Sequence, residues 1–293
     1  DPSQFNGGSI LAMAGRNSVA IAIDARFGLG MQTISTGSDG DFNGNGRVSE
    51  GGNPRILQLP NSNVLLAWTG LYGDGIGFAE EMNVQLARKV RRAGCMGFPG
   101  SSGSIMERKM SPRSITMLMS HLLYRRRNAP YYIEPVVVGL ETVCIPILLE
   151  TKGLGSDDIR PKELQSTLDG NPSDQLISTQ KESAMTQQKV YRRIQKPFLC
   201  GTDMLGAQST SKSFVCSGVA SRSLHGTAEA MWKPDLEGDE LVEVCGRAFV
   251  SALERDILSG YGAVVYLIQG GKGEDGAEDD VQITEYVLAC RND

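Results

Sequence analysis

The sequence has 293 residues, with 29 basic against 34 acidic side chains and a formal charge of −5. That length allows one large domain or two small ones, and 40% apolar with 22% charged residues excludes a wholly disordered, fibrous or coiled-coil chain. The mild acidity gives no reason to expect nucleic acid, and apolar runs such as 19–23 and 64–68 fall far short of the ~20 residues a membrane helix needs.

Residues 1–8 carry neither a basic cluster nor an apolar run, so no secretory signal is expected among them. The six cysteines (Cys95, Cys144, Cys200, Cys216, Cys245, Cys290) form no C-x-x-C pair, and no Asn-x-Ser/Thr acceptor accompanies them. Both features point to buried free thiols in a reducing, intracellular compartment.

In chain order, 9–26 is expected to open the fold as two short strands joined at Gly15-Arg16-Asn17. A second hairpin, 55–59 with 64–69, turns at Pro60-Asn61-Ser62-Asn63, so four strands should precede any helix. Phe78, Met82, Leu86 and Val90 then recur every fourth residue, the spacing that stacks side chains on one helix face. Asp74, Glu80 and Glu81 stand early and Arg88, Lys89, Arg91 and Arg92 late, as the helix dipole favours. Ser111-Pro112 is an N-cap followed by a first-turn proline, and Ile115, Leu118, Met119 and Leu122 give that second helix its stripe. Arg125, Arg126 and Arg127 close it, read as a solvated helix end or an ion pair to a neighbour.

Strand-like composition returns at 135–140, 145–149, 197–202 and 213–217. A long helix is expected over 241–258, with Leu241, Val244, Cys245, Ala248 and Ala252 on one face and a stop at Ser259-Gly260. Strands at 263–269 and 281–288 finish the chain, with an exposed acidic loop at 273–280 between them. The order points to α+β, with helices packed outside a pair of sheets.

Three polar, Gly-rich stretches interrupt this pattern, at about 36–54, 93–110 and 151–196. They read as loop insertions in a single domain over 1–293. The third has too little apolar content for a core of its own, though 183–193 could form a short helix. Within the first insertion, Asp39, Asp41 and Asn43 take the first, third and fifth places of a calcium-loop pattern, followed by Gly44, Asn45 and, at the twelfth place, Glu50. A second register from Asp41 leaves Gly52 where the bidentate acid belongs. The flanks are strand-like, so a solvated turn competes with calcium; no other metal and no cofactor is expected.

Five segments in order carry a resemblance: Asn6 to Met13 around Gly7-Gly8-Ser9, Val19 to Gly28 around Asp24, Leu122-Leu123-Tyr124, Pro130 to Leu140, and Arg255 to Val265 around Asp256-Ile257-Leu258-Ser259-Gly260. On these the chain resembles the beta-type subunits of the proteasome core particle, most closely their beta-type-3 branch, a non-catalytic one. The resemblance implies a four-layer αββα sandwich of the N-terminal-nucleophile hydrolase type. It also implies a place beside other beta subunits in a seven-membered ring stacked against alpha-subunit rings, polypeptide substrates in the chamber, a part in ubiquitin-dependent degradation, and a cytoplasmic and nuclear location.

Active members use an N-terminal threonine whose hydroxyl attacks a peptide carbonyl while its free amine serves as base. An aspartate and a lysine tune that amine, and an Asp-x-x-Ser-Gly motif supports it. Carried across by position, the aspartate falls on Asp24, the threonine on Gly8 and the lysine on Arg55. Asp256 and Ser259 keep the later motif, while Val219 stands where a serine follows Gly218. Glycine offers no nucleophile, and a guanidinium keeps its proton where a lysine need not. The resemblance also places Asp203, Ala207 and Ser209 toward a neighbouring subunit's pocket, where family members carry polar or acidic residues at the last two.

Each of these residues has a plainer role open to it. A buried Asp24 pairing with Arg26, or capping a turn, needs no catalysis. An enzyme would require loss of 1–8 to expose Ser9 as the nucleophile, although the shift by one residue turns its side chain away from Asp24. Cys216 with His225 could suggest a nucleophile and base, but a buried thiol beside an ordinary histidine is preferred. His121, beside Leu122, is expected to pack.

Overall fold

Residues 9–14 and 18–24 are apolar at nearly every position, a composition that suits strands covered on both faces. The computed structural model describes residues 5–30, 32–35, 55–60, 62–95, 110–147, 190–260, 262–271 and 281–288. Its elements run β1 (Phe5–Asn6), β2 (Ser9–Ala14), β3 (Ser18–Asp24), β4 (Phe27–Leu29), β5 (Gln32–Ser35), β6 (Ile56–Gln58), β7 (Val64–Gly70), α1 (Tyr72–Cys95), α2 (Pro112–Arg125), β8 (Ile133–Ile147), β9 (Val190–Thr202), β10 (Gln208–Ser211), β11 (Phe214–Gly218), α3 (Ser221–Met231), α4 (Gly238–Leu253), β12 (Ala263–Gly270) and β13 (Val281–Leu288). The chain divides into two units, 1–143 with 195–293, and 144–194. Of the second, the described residues are the ends of β8 and β9.

Within the first unit, one five-stranded sheet has the order β11-β2-β3-β12-β13 and a second the order β10-β9-β8-β7-β6. Alternate side chains of β2 and β3 explain their unbroken hydrophobicity. Leu11, Met13, Ala20 and Ala22 pack outward under α3 and α4 with Leu224, Leu241, Cys245 and Phe249. Ile10, Ala12, Val19, Ile21 and Ile23 face inward, against Leu65, Ala67, Val136 and Val138 of the second sheet. The other face of that sheet, through Leu66, Trp68 and Val137, meets Phe78, Met82 and Leu86 of α1 and Ile115, Met119 and Leu122 of α2. Helix, sheet, sheet, helix is the expected four-layer α+β architecture. A third, small sheet of order β1-β4-β5 carries the segment before Gly8.

Local signals acted where they were strong. Ser111 caps α2 by accepting from the Ser114 N–H (3.3 Å), and Pro112 follows in the first turn. Arg125 and Arg126 stay exposed, as a solvated helix end requires, and bind within the chain: Arg125 donates to Glu81 of α1, and Arg126 lies 3.8 Å from the same carboxylate and 4.5 Å above the Tyr131 ring.

Several expectations are corrected. Among the described residues seven strands, not four, precede α1. The two strands expected at 135–140 and 145–149 are the single β8, and β9 begins at Val190, so a strand occupies the described part of 183–193 where a helix was considered. Helix α4 stops at Leu253 rather than 258: the Asp256 carboxylate accepts the Leu258 N–H (3.2 Å), and Ile257, four residues after Leu253 in the apolar repeat, is 75% exposed. The insertion expected from 93 starts later, because α1 continues to Cys95. The bulk of all three insertions lies outside the described residues.

Candidate functional site

The end of β3 delivers Asp24, the start of β2 delivers Ser9, and a turn before β6 delivers Arg55, whose backbone carbonyl accepts the Trp68 N–H (3.1 Å). All three are interior, with Asp24 and Ser9 at 0% exposure and Arg55 at 2%. Arg55 Nη2 lies 2.8 Å from Asp24 Oδ1 and also donates to the Asp24 backbone carbonyl, while Nη1 donates to the Gly7 carbonyl. The Ser9 N–H donates to Asp24 Oδ1 (2.8 Å), and the Gly260 N–H to Oδ2 (3.2 Å). Asp24 therefore pairs with Arg55, correcting the suggested pairing with Arg26. Arg26 instead donates to the carbonyls of Leu258 (2.6 Å) and Gly30 (3.0 Å), tying the 254–262 loop to the strand end.

Gly8 sits beside this pair with φ +74°, in the left-handed region where glycine is at ease. Its carbonyl accepts the Val219 N–H (3.2 Å). Val219 contributes that backbone group, and its side chain is 37% exposed.

A chain of hydroxyls completes the cluster. Ser259 Oγ donates to Asp256 Oδ2 (2.7 Å), Ser9 Oγ is 2.9 Å from Ser259 Oγ, and Ser9 Oγ accepts the Ala220 N–H (2.9 Å). With Ser259 donating to Asp256, the remaining polarity has Ser9 donate to Ser259. The Ser9 hydroxyl is buried and doubly engaged.

Gly8, Asp24, Arg55, Asp256 and Ser259 thus meet at one place, with Val219 at its rim. The sequence pattern does not single out Ala220, or the neighbouring set Thr69, Ser217 and Glu134. In that set Thr69 Oγ1 is 2.8 Å from Ser217 Oγ, which donates to Glu134 Oε2 (3.1 Å). Ala220 acts through its backbone, which no side-chain pattern reveals.

The other candidates separate from this cluster. Asp203 uses its carboxylate on its own turn, accepting from the N–H groups of Leu205 (2.9 Å) and Ala207 (2.7 Å). Ala207 and Ser209 are exposed. The thiols of Cys200, Cys216 and Cys245 are free. Desolvation pushes Cys216 up to about 12 and Cys200 to about 11, and raises Cys245 as well. His225 is exposed and stacks edge-on against Phe214 (5.7 Å). His121 is exposed, correcting the expectation that it packs, because it falls on the outward side of α2 opposite Ile115, Met119 and Leu122. Asp39, Asp41, Asn43, Asn45 and Glu50 lie outside the described residues; among the described residues no cluster of metal-ligating side chains occurs.

A thiol at about 12 is almost wholly protonated at neutral pH, the opposite of an activated nucleophile. Alkylation of Cys216 by iodoacetamide at pH 8 is expected to run on the order of 10³-fold slower than that of an ordinary thiol, from its thiolate fraction alone. Peptide mapping after timed alkylation checks this, and labelling at the ordinary rate would contradict it.

The layered fold is that of an N-terminal-nucleophile-type sandwich, and the chain belongs to the proteasome subunit family, as a beta-type member. A match to the family described as Proteasome subunit covers residues 184–268. Proteasome subunit beta type-3 of Drosophila melanogaster is 31% identical over 99% of this chain and 98% of its own length. Proteasome subunit beta type-3-A of Arabidopsis thaliana is 31% identical over 90% of this chain and 91% of its own, and the Trypanosoma brucei brucei beta type-3 subunit is 28% identical over 92% of each.

Proposed function

We propose that this chain is a non-catalytic beta subunit, which builds the beta ring of the proteasome core particle and works in ubiquitin-dependent protein degradation through its neighbours. The observation that carries the reading is Gly8: where Asp24, Ser259 and Arg55 converge, the residue at the nucleophile's place has no side chain. Its partners are other beta subunits, including its neighbours in a seven-membered ring, and the alpha subunits of the ring stacked against it, in the cytoplasm and nucleus, with polypeptide substrates in the chamber. The 203–209 turn, held by Asp203, would form part of a neighbouring active-site wall. Ala207 and Ser209 bring no charge to it.

The competing reading makes Ser9 the nucleophile after removal of 1–8. Against it stand the engaged hydroxyl of Ser9 and the pairing of β1 with β4, Phe5 opposite Leu29 and Asn6 opposite Gly28. The intact mass of the chain from purified particles, before and after a peptide epoxyketone that captures N-terminal nucleophiles, decides between them. A chain with Gly7, Gly8 and Ser9 still joined and no adduct is expected. Loss of the segment through Gly8 with an adduct on Ser9 would make the chain a protease.

A further inference from the structure

We propose that Arg55 closes this site a second time, independently of the missing nucleophile: its guanidinium fills the volume a side chain at residue 8 would need and clamps the backbone of 7–9. A hydroxyl placed at residue 8 therefore gains no working geometry until Arg55 is also changed. This deepens the reading of the chain as catalytically silent and rests on it.

The steric part follows from Gly8. A Cβ there collides with Arg55 Nη1 and with Asp24 Oδ1 and falls 2.7 Å from Arg55 Cζ. The backbone adds to this, since φ +74° is a conformation that side chains avoid, β-branched ones most of all. Neither obstacle can swing aside freely. Arg55 is anchored at its backbone by Trp68 and at its head by Gly7 and Asp24. Asp24 is held in turn by the N–H groups of Ser9 and Gly260.

The identity of the cation decides the outcome. A lysine side chain ends at about the depth of the arginine Cζ, so Arg55→Lys deletes Nη1 and Nη2 while keeping a positive charge beside Asp24. It removes Nη1, one of the two atoms that collide, together with the donor that grips the Gly7 carbonyl, and it releases the other, Asp24 Oδ1, from Nη2 so that the carboxylate can turn aside. That donor would polarise the carbonyl toward attack, but the same guanidinium stands in the approach path. With the path open, a hydroxyl introduced at residue 8 can attack the Gly7 carbonyl carbon. The C–N bond breaks as the acyl group moves to oxygen and the hydroxyl proton goes to the released amine. Water then hydrolyses the ester, leaving a Gly7 carboxylate, a free hydroxyl and a free amine.

The test expresses Gly8→Thr, Arg55→Lys and the double variant in assembled particles, with the unmodified chain alongside. Intact mass and labelling by a fluorescent epoxyketone are read on each. Gly8→Thr alone is expected to stay joined at residues 7 and 8 and unlabelled, whereas the double variant is cleaved after Gly7 and takes up label at least about tenfold above it. Cleavage and labelling of the single Gly8→Thr chain overturn the proposal, and so does a double variant that behaves like the single one. Hydrogen exchange gives a reading free of activity: Arg55→Lys alone is expected to enter particles normally and to speed exchange over 7–9 by about tenfold. Unchanged exchange there would mean that Arg55 is no clamp. Labelling of the unmodified chain would instead refute the non-catalytic assignment.

Discussion

Asp24→Ala is expected to lower the unfolding free energy of the subunit by about 3–5 kcal/mol, the cost of leaving a buried charge without its partner. The carboxylate is the hub of the interior cluster. It faces Arg55 at 2.8 Å and accepts the N–H groups of Ser9 and Gly260, so its removal strips a buried guanidinium of its counter-charge, leaving it carbonyl acceptors, and orphans two backbone donors at the same time. Arg55→Met is expected to cost less, about 2–3 kcal/mol, because the remaining carboxylate keeps both N–H donors. The double variant should then fall short of the sum of the two, since the pair's loss is counted once. Urea unfolding of all four proteins at neutral pH measures the cycle, and an Arg55→Met cost equal to that of Asp24→Ala would show the hub wrongly placed. Against a total stability of about 5–15 kcal/mol, either loss is large enough to reduce the amount of subunit entering particles.

Phe249→Ala should be comparably damaging, about 3–5 kcal/mol, through a cavity. The ring is fully buried between α4 and the sheet, in the same cluster as Leu11, Met13, Ala20, Ala22 and Leu224. Small alanines opposite it cannot move in to fill the space, because β2 and β3 are pinned on their other face by Ile10, Ile21 and Ile23. Phe249→Leu keeps most of the volume and is expected to cost under about 1.5 kcal/mol. Thermal melting of the three proteins provides the comparison, and equal losses for Ala and Leu would indicate that the site collapses. The effect reaches function indirectly: the strands under Phe249 are those that carry Ser9 and Asp24.

What the sequence made legible divides along physical lines. Helices α1, α2 and most of α4 are legible because each has a full apolar stripe, and α2 also carries its cap in Ser111-Pro112. Helix α3 leaves little trace in the sequence, since it buries only Leu224 and Ala228 and has no side-chain N-cap bond. Strands β1, β4, β5 and β10 are two to four residues long and lack alternation. Their pairing is set by tertiary contact, which leaves little mark on composition. The end of α4 was overrun because Ile257 continued the apolar repeat while Asp256 turned the chain. At the site, Asp24, Arg55, Asp256 and Ser259 were found by position within a family pattern. Their partners were harder to see: the choice of Arg55 over Arg26 depends on a turn 31 residues away in sequence, and the Ala220 contribution is a backbone N–H.

The sheet order has a consequence for how the protein is made. Strand β3 lies between β2 and β12, with Asp24 opposite Ala263 and Val19 opposite Ile268. The partner on that side is thus translated roughly 240 residues after β3 itself. Until then β3 presents an open edge of Val19, Ile21 and Ile23, an apolar row with unmet backbone groups that invites pairing with other chains. Topology of this kind folds slowly because its contacts are distant in sequence, and partly made chains exposing such edges are prone to aggregate. Nascent copies would therefore depend on a holdase during synthesis, and a ribosome stalled before residue 263 would yield a chain unable to complete its central sheet.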